Sequence, residues 1–555
     1  MDAGRCYIRL VLTLVRRHAL WFAVVGLAAV LLRLFFIWRF AIVTDDAVYY
    51  SDIAKCLLEY HRYGTTQAEG WTPTLSRLPG YPAFLAVMFL LGGEDNFRLA
   101  MLFQLGFDLL TCLIVADVAR RVFGHNPWGN NHWENKPGEN EPWGDNAWGD
   151  RAARWALLLA AFCPFLMNYV ATPLTECLEL FFIAAALDCA LIALGRMQEI
   201  SIRGAPLLPS VGRSGNDGLR GVPGAPSFGG PGWSWWVLCG IFAAGDTLLR
   251  PDGGLILVGI GLPLVVLGWC NAARAGGPGR RELWTATLVL FAVALSPLVP
   301  WTIRNWRVFH VFQPLVNTHA SDPGAFVPLG WERWMKTWLI DYASMEDVGF
   351  QVEGAVLDPN DIPARAYSTE AQREQVRRLI GQYNAGGFQM TPELDRQFAA
   401  LAEESIRLHP LRYYLLLPVA RTVDMWLRPR SEMMPLDTHF WRFAEDPHDS
   451  LCALALAALN LFYVAAAVAG AWVLRPRKPK EGLPGAPRRR IQGIALGLLL
   501  TYPIVRSLFL ATTGAAEDRY TLECFPFLFV LVAGFLSWWE HRSSAIPTSK
   551  SATPP

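Results

Sequence analysis

The sequence predicts an all-α polytopic membrane protein with about ten transmembrane helices, juxtamembrane helices and a large outer loop domain. Of its 555 residues, 53% are hydrophobic and 17% are charged, whereas soluble proteins carry about 25% charged residues. The apolar residues are gathered in runs close to the roughly 20 residues that a helix needs to cross a bilayer. The 23 Trp and 15 Tyr suit two membrane–water interfaces, and a net charge of +1 gives no argument for binding nucleic acid.

Ten apolar runs are long enough to be predicted as spans. They are 19–42, 99–118, 154–171, 175–195, 233–248, 253–270, 283–301, 452–474, 491–511 and 521–539. The run at 80–92 is shorter and is interpreted as a re-entrant or interfacial segment. With that run excluded, the arginine-rich connections all fall on one side, and the positive-inside rule makes that side and both termini cytoplasmic. The ten cysteines are interpreted as small buried hydrophobes.

The spans divide the chain into three parts. These are a membrane core at 1–302 with a first outer loop at 43–98, a large outer loop domain at 303–450, and C-terminal membrane helices with a cytoplasmic tail at 451–555. Low complexity predicts disordered cytoplasmic linkers at 124–150, 201–232 and 475–490. Within the loop domain, Thr391 as N-cap and the apolar spacing that follows predict a helix over 391–408. A second, aromatic-rich helix is predicted over about 411–427, along the membrane surface.

Acids and arginines recur at the predicted outer ends of the spans, where burial makes charges costly and usually functional. Asp45 and Asp46 follow the first span, and a pair of carboxylates can supply a general base. The arginines at these ends offer planar guanidinium groups suited to phosphate; they are Arg77, Arg250, Arg304 and Arg519. A base beside a phosphate cradle at a membrane surface indicates transfer of a group from a lipid phosphate to a hydroxyl.

Each of these residues also has a structural interpretation. Asp45 and Asp46 can serve in the first turn of a helix that Thr44 caps. Glu176 can act as a helix cap, and Arg250 can extend its guanidinium to the membrane interface. These alternatives stay open at the level of the sequence, because capping and catalysis do not exclude each other.

The order and sidedness of these motifs resemble the GT-C glycosyltransferases, especially the bacterial branch related to protein O-mannosyltransferases and to the aminoarabinose transferases of lipid A. The matching elements are Asp45, Asp46 and Tyr49 in the first outer loop, "RLPGYPAF" from Arg77, Glu176 at the start of a span, Arg250-Pro251, Pro300 to Asn305, and Glu517-Asp518-Arg519-Tyr520. The resemblance covers roughly residues 20–310 and 400–540.

The resemblance implies a donor in which a sugar is carried on a polyprenyl or dolichyl phosphate. It implies that Asp45 is the base on an acceptor hydroxyl, that the sugar is transferred with inversion, and that the four arginines hold the phosphate. The supporting residues are Tyr49, Glu176, Glu517 and Tyr520. No cofactor is implied as required; a divalent metal is left open, with Asp46 and Glu176 as candidate ligands. The acceptor is a lipid, a glycan or a protein, and the site lies on the outer or periplasmic face of the plasma (inner) membrane.

Two other classes of function remain open. A glycolipid transporter or flippase would show inverted repeats and breaks in the middle of its spans; no matching halves are found, and the polar residues lie at the ends of spans. A non-catalytic subunit of a glycan assembly complex would not need the Asp45 carboxylate. Arg519 can also simply pair with Glu517 or Asp518.

Overall fold

The computed structural model describes residues 18–68, 70–124, 147–203, 232–270, 279–316, 319–352, 354–476, 486–514 and 516–544. Across these ranges the chain is helical apart from loops and one two-stranded sheet. The main helices are α1 Ala19–Arg39, α2 Asp45–Glu59, α3 Gly80–Gly92, α4 Phe97–Phe123, α5 Ala147–Ala161, α6 Pro164–Val170, α7 Glu176–Arg203, α8 Trp233–Leu249, α9 Leu255–Cys270, α10 Arg280–Leu295, α11 Leu298–Phe309, α12 Leu329–Met335, α13 Tyr342–Ser344, α14 Glu370–Ala385, α15 Pro392–Leu408, α16 Leu417–Leu427, α17 Pro447–Leu474, α18 Ala486–Thr512 and α19 Phe525–Ser544.

Short 3₁₀ and π turns complete the helical elements. The 3₁₀ turns are Pro251–Gly254, Ala364–Ala366 and Asp518–Cys524, and the π turns are Met345–Gly349 and Arg412–Leu416. Two of the 3₁₀ turns lead directly into the apolar helices α9 and α19. The first of these turns follows Arg250, and the second contains Arg519 and Tyr520. The starts of α9 and α19 therefore position candidate site residues.

The predicted membrane-spanning character is confirmed. Within the described residues, seven helices are long and apolar enough to cross a bilayer, or nine if each of two bent pairs is one span. The bent pairs are α5–α6, which meet at 55° before Pro164, and α10–α11, which meet at 41°. They cover the runs predicted as single spans at 154–171 and 283–301. The remaining predicted span, 233–248, is the 17-residue apolar helix α8.

Two helices form the centre of the membrane core. In the most apolar part of α7, 89% of residues are buried, and the corresponding value for the 518–543 segment that contains α19 is 83%. In the most apolar part of α1 only 22% of the residues are buried. This helix has an exposed apolar face formed by Leu20, Val24, Leu27 and Leu31. Such an exposed stripe is what lipid contact requires of a peripheral helix. The cysteines that the structure describes are buried except Cys270 and Cys452, in line with their interpretation as small hydrophobes.

The first loop folds into a helix, a hairpin and a second helix. Thr44 caps α2, its hydroxyl oxygen accepting a hydrogen bond from the Ala47 amide at 3.3 Å. The strands β1 Gly64–Gln67 and β2 Gly70–Pro73 then pair antiparallel. Gly64 is required there, because a Cβ would collide with the carbonyl oxygen of Thr72. The run at 80–92 forms the 13-residue helix α3.

The loop domain has its own apolar core between α12, α14 and α15. Trp331 and Trp334 pack on Phe398 with ring centroids 4.8 and 5.2 Å apart. The predicted helix over 391–408 is confirmed as α15, and Thr391 caps it by accepting from the Leu394 amide. The predicted second helix corresponds to the π turn at 412–416 together with α16. Most of the predicted linkers at 124–150, 201–232 and 475–490 lie outside the described residues.

Candidate active site

Side chains from five separate parts of the chain meet at one end of the membrane helices. They come from the start of α2, the segment after the hairpin, the start of α7, the link between α8 and α9, and the segment before α19. We call the group the arginine–carboxylate cluster; its members are Asp46, Arg77, Glu176, Arg250, Glu517 and Arg519. The contacts between them show that these ends share one face of the protein. The sequence prediction that these motifs form one site is consistent with this geometry.

Asp46 links two arginines. One of its carboxylate oxygens accepts a hydrogen bond from Arg77 at 2.9 Å, and the other lies 3.7 Å from an Nη atom of Arg519. Arg519 in turn forms an ion pair with Glu517 at 2.5 Å. Both Asp46 oxygens therefore face positive charge, and neither is free to contact a bound molecule without displacing an arginine.

Asp45 precedes Asp46 by one residue but has a different environment. It is the first residue of α2, its side chain is exposed, and it forms no hydrogen bond or ion pair with any residue that the structure describes. Thr44 supplies the side-chain cap of this helix, so Asp45 is not needed for that purpose. Its carboxylate is thus free to contact a bound molecule.

Arg77 is fixed by aromatic rings as well as by Asp46. Its guanidinium carbon lies 5.1 Å from the ring centre of Tyr49 and 5.8 Å from that of Tyr50. The Tyr49 hydroxyl bonds the Ser76 hydroxyl at 2.6 Å, which ties the helix to the segment that carries Arg77. Burial disfavours the charge on Arg77, but Tyr50 and Asp46 outweigh burial, and the pKa of Arg77 stands above its ordinary value. Arg77 is therefore a permanent cation.

Arg250 lies among carboxylates without being saturated by them. Its nitrogens approach Glu176 at 3.6 Å, Glu179 at 3.6 Å, Asp252 at 3.2 Å and Glu523 at 3.8 Å. Among the described residues, only the contact with Asp252 has hydrogen-bond geometry. A guanidinium has five N–H donors, so Arg250 keeps donors available for another anion.

Arg519 and Arg250 share one tyrosine. The Tyr520 ring centre lies 4.7 Å from the guanidinium carbon of Arg250 and 5.3 Å from that of Arg519. The Tyr520 hydroxyl donates to Glu517 at 2.8 Å, which holds the ring in place. Neither Nη atom of Arg519 donates a hydrogen bond to a residue that the structure describes. The two arginines therefore contact one aromatic ring, and both present unused donors.

The structure adds acidic and basic residues that the sequence analysis did not assign. Arg506, almost fully buried, joins Asp252 at 3.0 Å to Glu523 at 2.7 Å, and Glu179 lies one helical turn from Glu176. Asp252 directly follows Arg250-Pro251, and Glu523 lies three residues after Tyr520. The signal for Arg506 was its charge inside the otherwise apolar run at 491–511, since such residues are costly and usually paired.

Arg304 is not part of the cluster. Its two terminal nitrogens donate to the carbonyl oxygens of Tyr63 at 2.6 Å and Thr74 at 2.7 Å, and one also donates to the Asn305 side chain. Its guanidinium carbon lies 5.1 to 5.3 Å from the ring centres of Tyr63, Trp301 and Phe309. The donors are directed at the backbone of the first loop, so Arg304 braces that loop.

The residues that the structure describes do not form a metal site. Among the described residues, no group of three or more His, Cys, Asp or Glu side chains could hold a metal ion. Of the two candidate ligands, Asp46 has both oxygens directed at arginines, and one oxygen of Glu176 faces Arg250. No step of the chemistry below is routed through a metal.

Comparison with known proteins adds structural neighbours only. Neither a protein-family model nor a curated protein matches the chain. One similar solved structure is the archaeal oligosaccharyltransferase AglB from Archaeoglobus fulgidus in complex with an inhibitory peptide and a dolichol-phosphate, with TM-score 0.45, 14% identity and coverage of 96% of this chain and 53% of that one. Another is ArnT from Cupriavidus metallidurans bound to undecaprenyl phosphate, with TM-score 0.35, 13% identity and coverage of 94% and 79%.

These neighbours are membrane glycosyltransferases of the GT-C type that the sequence motifs resemble. The chain spans about half the length of the oligosaccharyltransferase. At TM-scores below 0.5 the likeness carries no argument about function, which has to rest on the site itself.

Proposed function

We propose that the protein is a membrane glycosyltransferase that moves a sugar from a polyprenyl-phosphate donor to an acceptor hydroxyl. One observation carries the proposal: the half-buried arginines Arg250 and Arg519 keep unused donors, and Asp45, which precedes the Arg519 partner Asp46 in the chain, has an exposed carboxylate. Guanidinium donors that protein acceptors leave unoccupied can bond the oxygens of an anion. They suit a site that binds an anionic group such as a phosphate.

In the proposed reaction, Asp45 takes the proton from the acceptor hydroxyl. The acceptor oxygen forms a bond to the anomeric carbon of the sugar while the bond from that carbon to the phosphate oxygen breaks on the opposite face, so the configuration inverts. The polyprenyl phosphate leaves with the electron pair of the broken bond. Arg250 and Arg519 stabilise the negative charge that develops on the leaving phosphate. Such stabilisation by fixed donors is usually the largest single contribution to an enzyme's rate enhancement.

The neighbouring residues take positioning roles in this scheme. Asp46 orients Arg77 and Arg519 through its two ionic contacts, whereas the exposed Asp45 carboxylate is open to an acceptor. Tyr49 and Tyr520 hold the arginines by ring contact, while Glu517 fixes both Tyr520 and Arg519. Glu176 approaches Arg250 at 3.6 Å from the start of α7.

The experiment compares glycans and glycolipids by mass spectrometry in cells that produce the wild-type protein, Asp45→Asn or the control Glu59→Gln. Glu59 is an exposed carboxylate at the end of the same helix. We expect Asp45→Asn to remove one class of glycoconjugate that Glu59→Gln retains. Unchanged products from Asp45→Asn at normal protein levels would instead favour the transporter or the assembly subunit.

The orientation of the site is part of the same proposal. The positive-inside rule assigns the arginine–carboxylate cluster to the outer face and the 475–490 connection to the cytoplasm. A cysteine introduced at 475–490 should resist a membrane-impermeant thiol reagent in intact cells. Its labelling there would reverse the orientation and with it the proposed location of transfer.

A further inference from the structure

A second group of polar side chains lies beside Arg519, on the side of the loop domain. We call it the Glu432 cluster; its members are Tyr169, Tyr342, Arg428, Glu432 and Asp518. They come from α6, α13, the end of α16 and the turn before α19. The cluster is thus formed where the loop domain meets the membrane core, next to the arginine–carboxylate cluster.

The segment that carries Glu432 is held rigidly. Arg430 adopts a left-handed backbone conformation with φ of 61°, which a non-glycine residue adopts only when its surroundings enforce it. Its guanidinium donates to Asn460 at 3.1 Å, to the Asp518 carbonyl at 2.9 Å and also to Thr521. Arg430 therefore fixes Glu432, two residues later, against the turn that contains Asp518 and Arg519.

Several polar atoms of the Glu432 cluster have no hydrogen-bond partner among the described residues. Asp518 is fully buried and neither of its carboxylate oxygens accepts a hydrogen bond. The second oxygen of Glu432 and the Nη1 atom of Arg428 are also buried and have no hydrogen-bond partner among the described residues. Arg428 approaches Asp518 at 3.4 Å, and Tyr169 reaches the first oxygen of Glu432 at 3.4 Å. Unpaired buried groups of this kind mark a place for a polar ligand.

The hydrogen-bonding groups of the cluster select the kind of ligand. Glu432 and Asp518 carry carboxyl oxygens without hydrogen-bond partners among the described residues. Carboxylate oxygens accept hydrogen bonds, and sugar hydroxyls donate them. Burial, Glu346 and Glu432 raise the pKa of the Tyr342 hydroxyl, which therefore stays protonated and can also bond a hydroxyl.

Resting on the proposed function, we propose that the Glu432 cluster binds the sugar of the donor through its hydroxyl groups. The phosphate then lies at Arg250 and Arg519, and the sugar extends from it toward Glu432 and Tyr342. Arg519 lies next to both the phosphate position and the Glu432 cluster. Asp518 is the chain neighbour of Arg519, and the charge of Arg519 acts on Tyr342. Glu432 is in this account a specificity residue that contacts the substrate.

Binding to the purified full-length protein in detergent tests the inference. The probes are farnesyl phosphate and the farnesyl phosphosugars of glucose, mannose and arabinose, titrated against wild type, Glu432→Gln, Tyr342→Phe and the control Glu445→Gln. Glu445 is exposed in the same loop and pairs only with Arg442 among the described residues. Elution profile and thermal midpoint establish that each variant is folded.

Wild type should bind at least one phosphosugar more tightly than farnesyl phosphate. Glu432→Gln should weaken that phosphosugar about tenfold or more and leave farnesyl phosphate within about twofold, because a charge-assisted hydrogen bond is lost only at the sugar. Equal phosphosugar binding by wild type and Glu432→Gln, or no preference for any phosphosugar in wild type, would overturn the inference. Failure of the wild type to bind farnesyl phosphate would instead refute the proposed function.

Discussion

Arg304 and Arg519 were predicted from the same sequence pattern, yet their surroundings differ. Arg304 directs both terminal nitrogens at the carbonyl oxygens of Tyr63 and Thr74, at 2.6 and 2.7 Å. Arg519 lies between the carboxylates of Asp46 and Glu517, and its terminal nitrogens donate no hydrogen bond to a described residue. An arginine whose donors are satisfied by backbone carbonyls braces the fold, whereas one with unused donors is ready to bind an anion.

Arg421 strengthens this contrast. It is 2% exposed and donates to the carbonyl oxygens of Leu339, Lys336 and Thr513 at 2.8, 2.6 and 3.1 Å. These contacts connect α16 to the loop domain and to the segment that precedes Arg519. Arg421 is thus a second bracing arginine. The two neighbouring acids differ in the same way, because Asp46 is held by two arginines whereas Asp45 has no side-chain partner among the described residues.

The largest expected effect follows from the two acids. Asp45→Asn keeps the shape and the capping ability of the side chain, since Asn and Asp cap helices about equally well. If Asp45 is the base, turnover should fall by about a hundredfold to ten-thousandfold, the usual range for loss of general base catalysis. Single-turnover transfer with purified protein measures this effect. Retained turnover in Asp45→Asn with lost turnover in Asp46→Asn would move the role to Asp46.

A smaller effect is expected for Arg250→Lys. The lysine keeps the positive charge that Glu176, Glu179 and Glu523 require, so the protein should still fold. It lacks the planar fork, and transfer should slow by about tenfold. Wild-type turnover in this variant would mean that the open donors of Arg250 do not touch the leaving phosphate.

For Arg304→Ala the effect should appear in stability instead of turnover. The variant loses two hydrogen bonds to loop carbonyls and the ring contacts, a cost of about 3 kcal/mol. Thermal unfolding should show a lower midpoint, while the protein that remains folded turns over at nearly the wild-type rate. A large loss of turnover with an unchanged midpoint would place Arg304 back in the phosphate site.

The smallest effect concerns pH. Burial raises the pKa of Asp424 to about 6 from its ordinary 3.8. Between these values the folded protein holds a proton that the unfolded chain releases, so the contribution of Asp424 is most favourable at low pH and is lost as the pH rises toward 6. The loss is at most about 3 kcal/mol. The difference between the thermal midpoints of Asp424→Asn and wild type should therefore be more in favour of the variant at pH 7 than at pH 4.5. A difference that does not change with pH would contradict a raised pKa at Asp424.

The sequence predicted the helical membrane class and most of the helix ends whose charged side chains meet in the arginine–carboxylate cluster, because hydropathy and the cost of charges in lipid are local properties. It also predicted α15 from Thr391 and its apolar spacing. It did not distinguish Arg304 from Arg519. That difference depends on carbonyl groups about 230 and 241 positions away in the chain, which no local pattern reveals.

The pairing of buried charges was also beyond the sequence. Arg33 and Asp108 form a fully buried ion pair between α1 and α4. No local pattern reveals this pair, because Arg33 lies 75 positions before Asp108 on another helix. The unpaired oxygens of Asp518 and Glu432 likewise appear only once the loop domain is placed on the membrane core.

The most direct test of the account is the binding of farnesyl phosphate to Arg519→Ala and Arg304→Ala, measured by titration calorimetry at a temperature where both variants are folded. The account predicts that Arg519→Ala weakens binding by about tenfold or more, because a charge-assisted contact is lost. Arg304→Ala should bind like the wild type, because its donors are occupied by the first loop. Equal weakening in both variants, or wild-type binding by Arg519→Ala, would contradict the distinction between open and occupied arginines on which the proposed function rests.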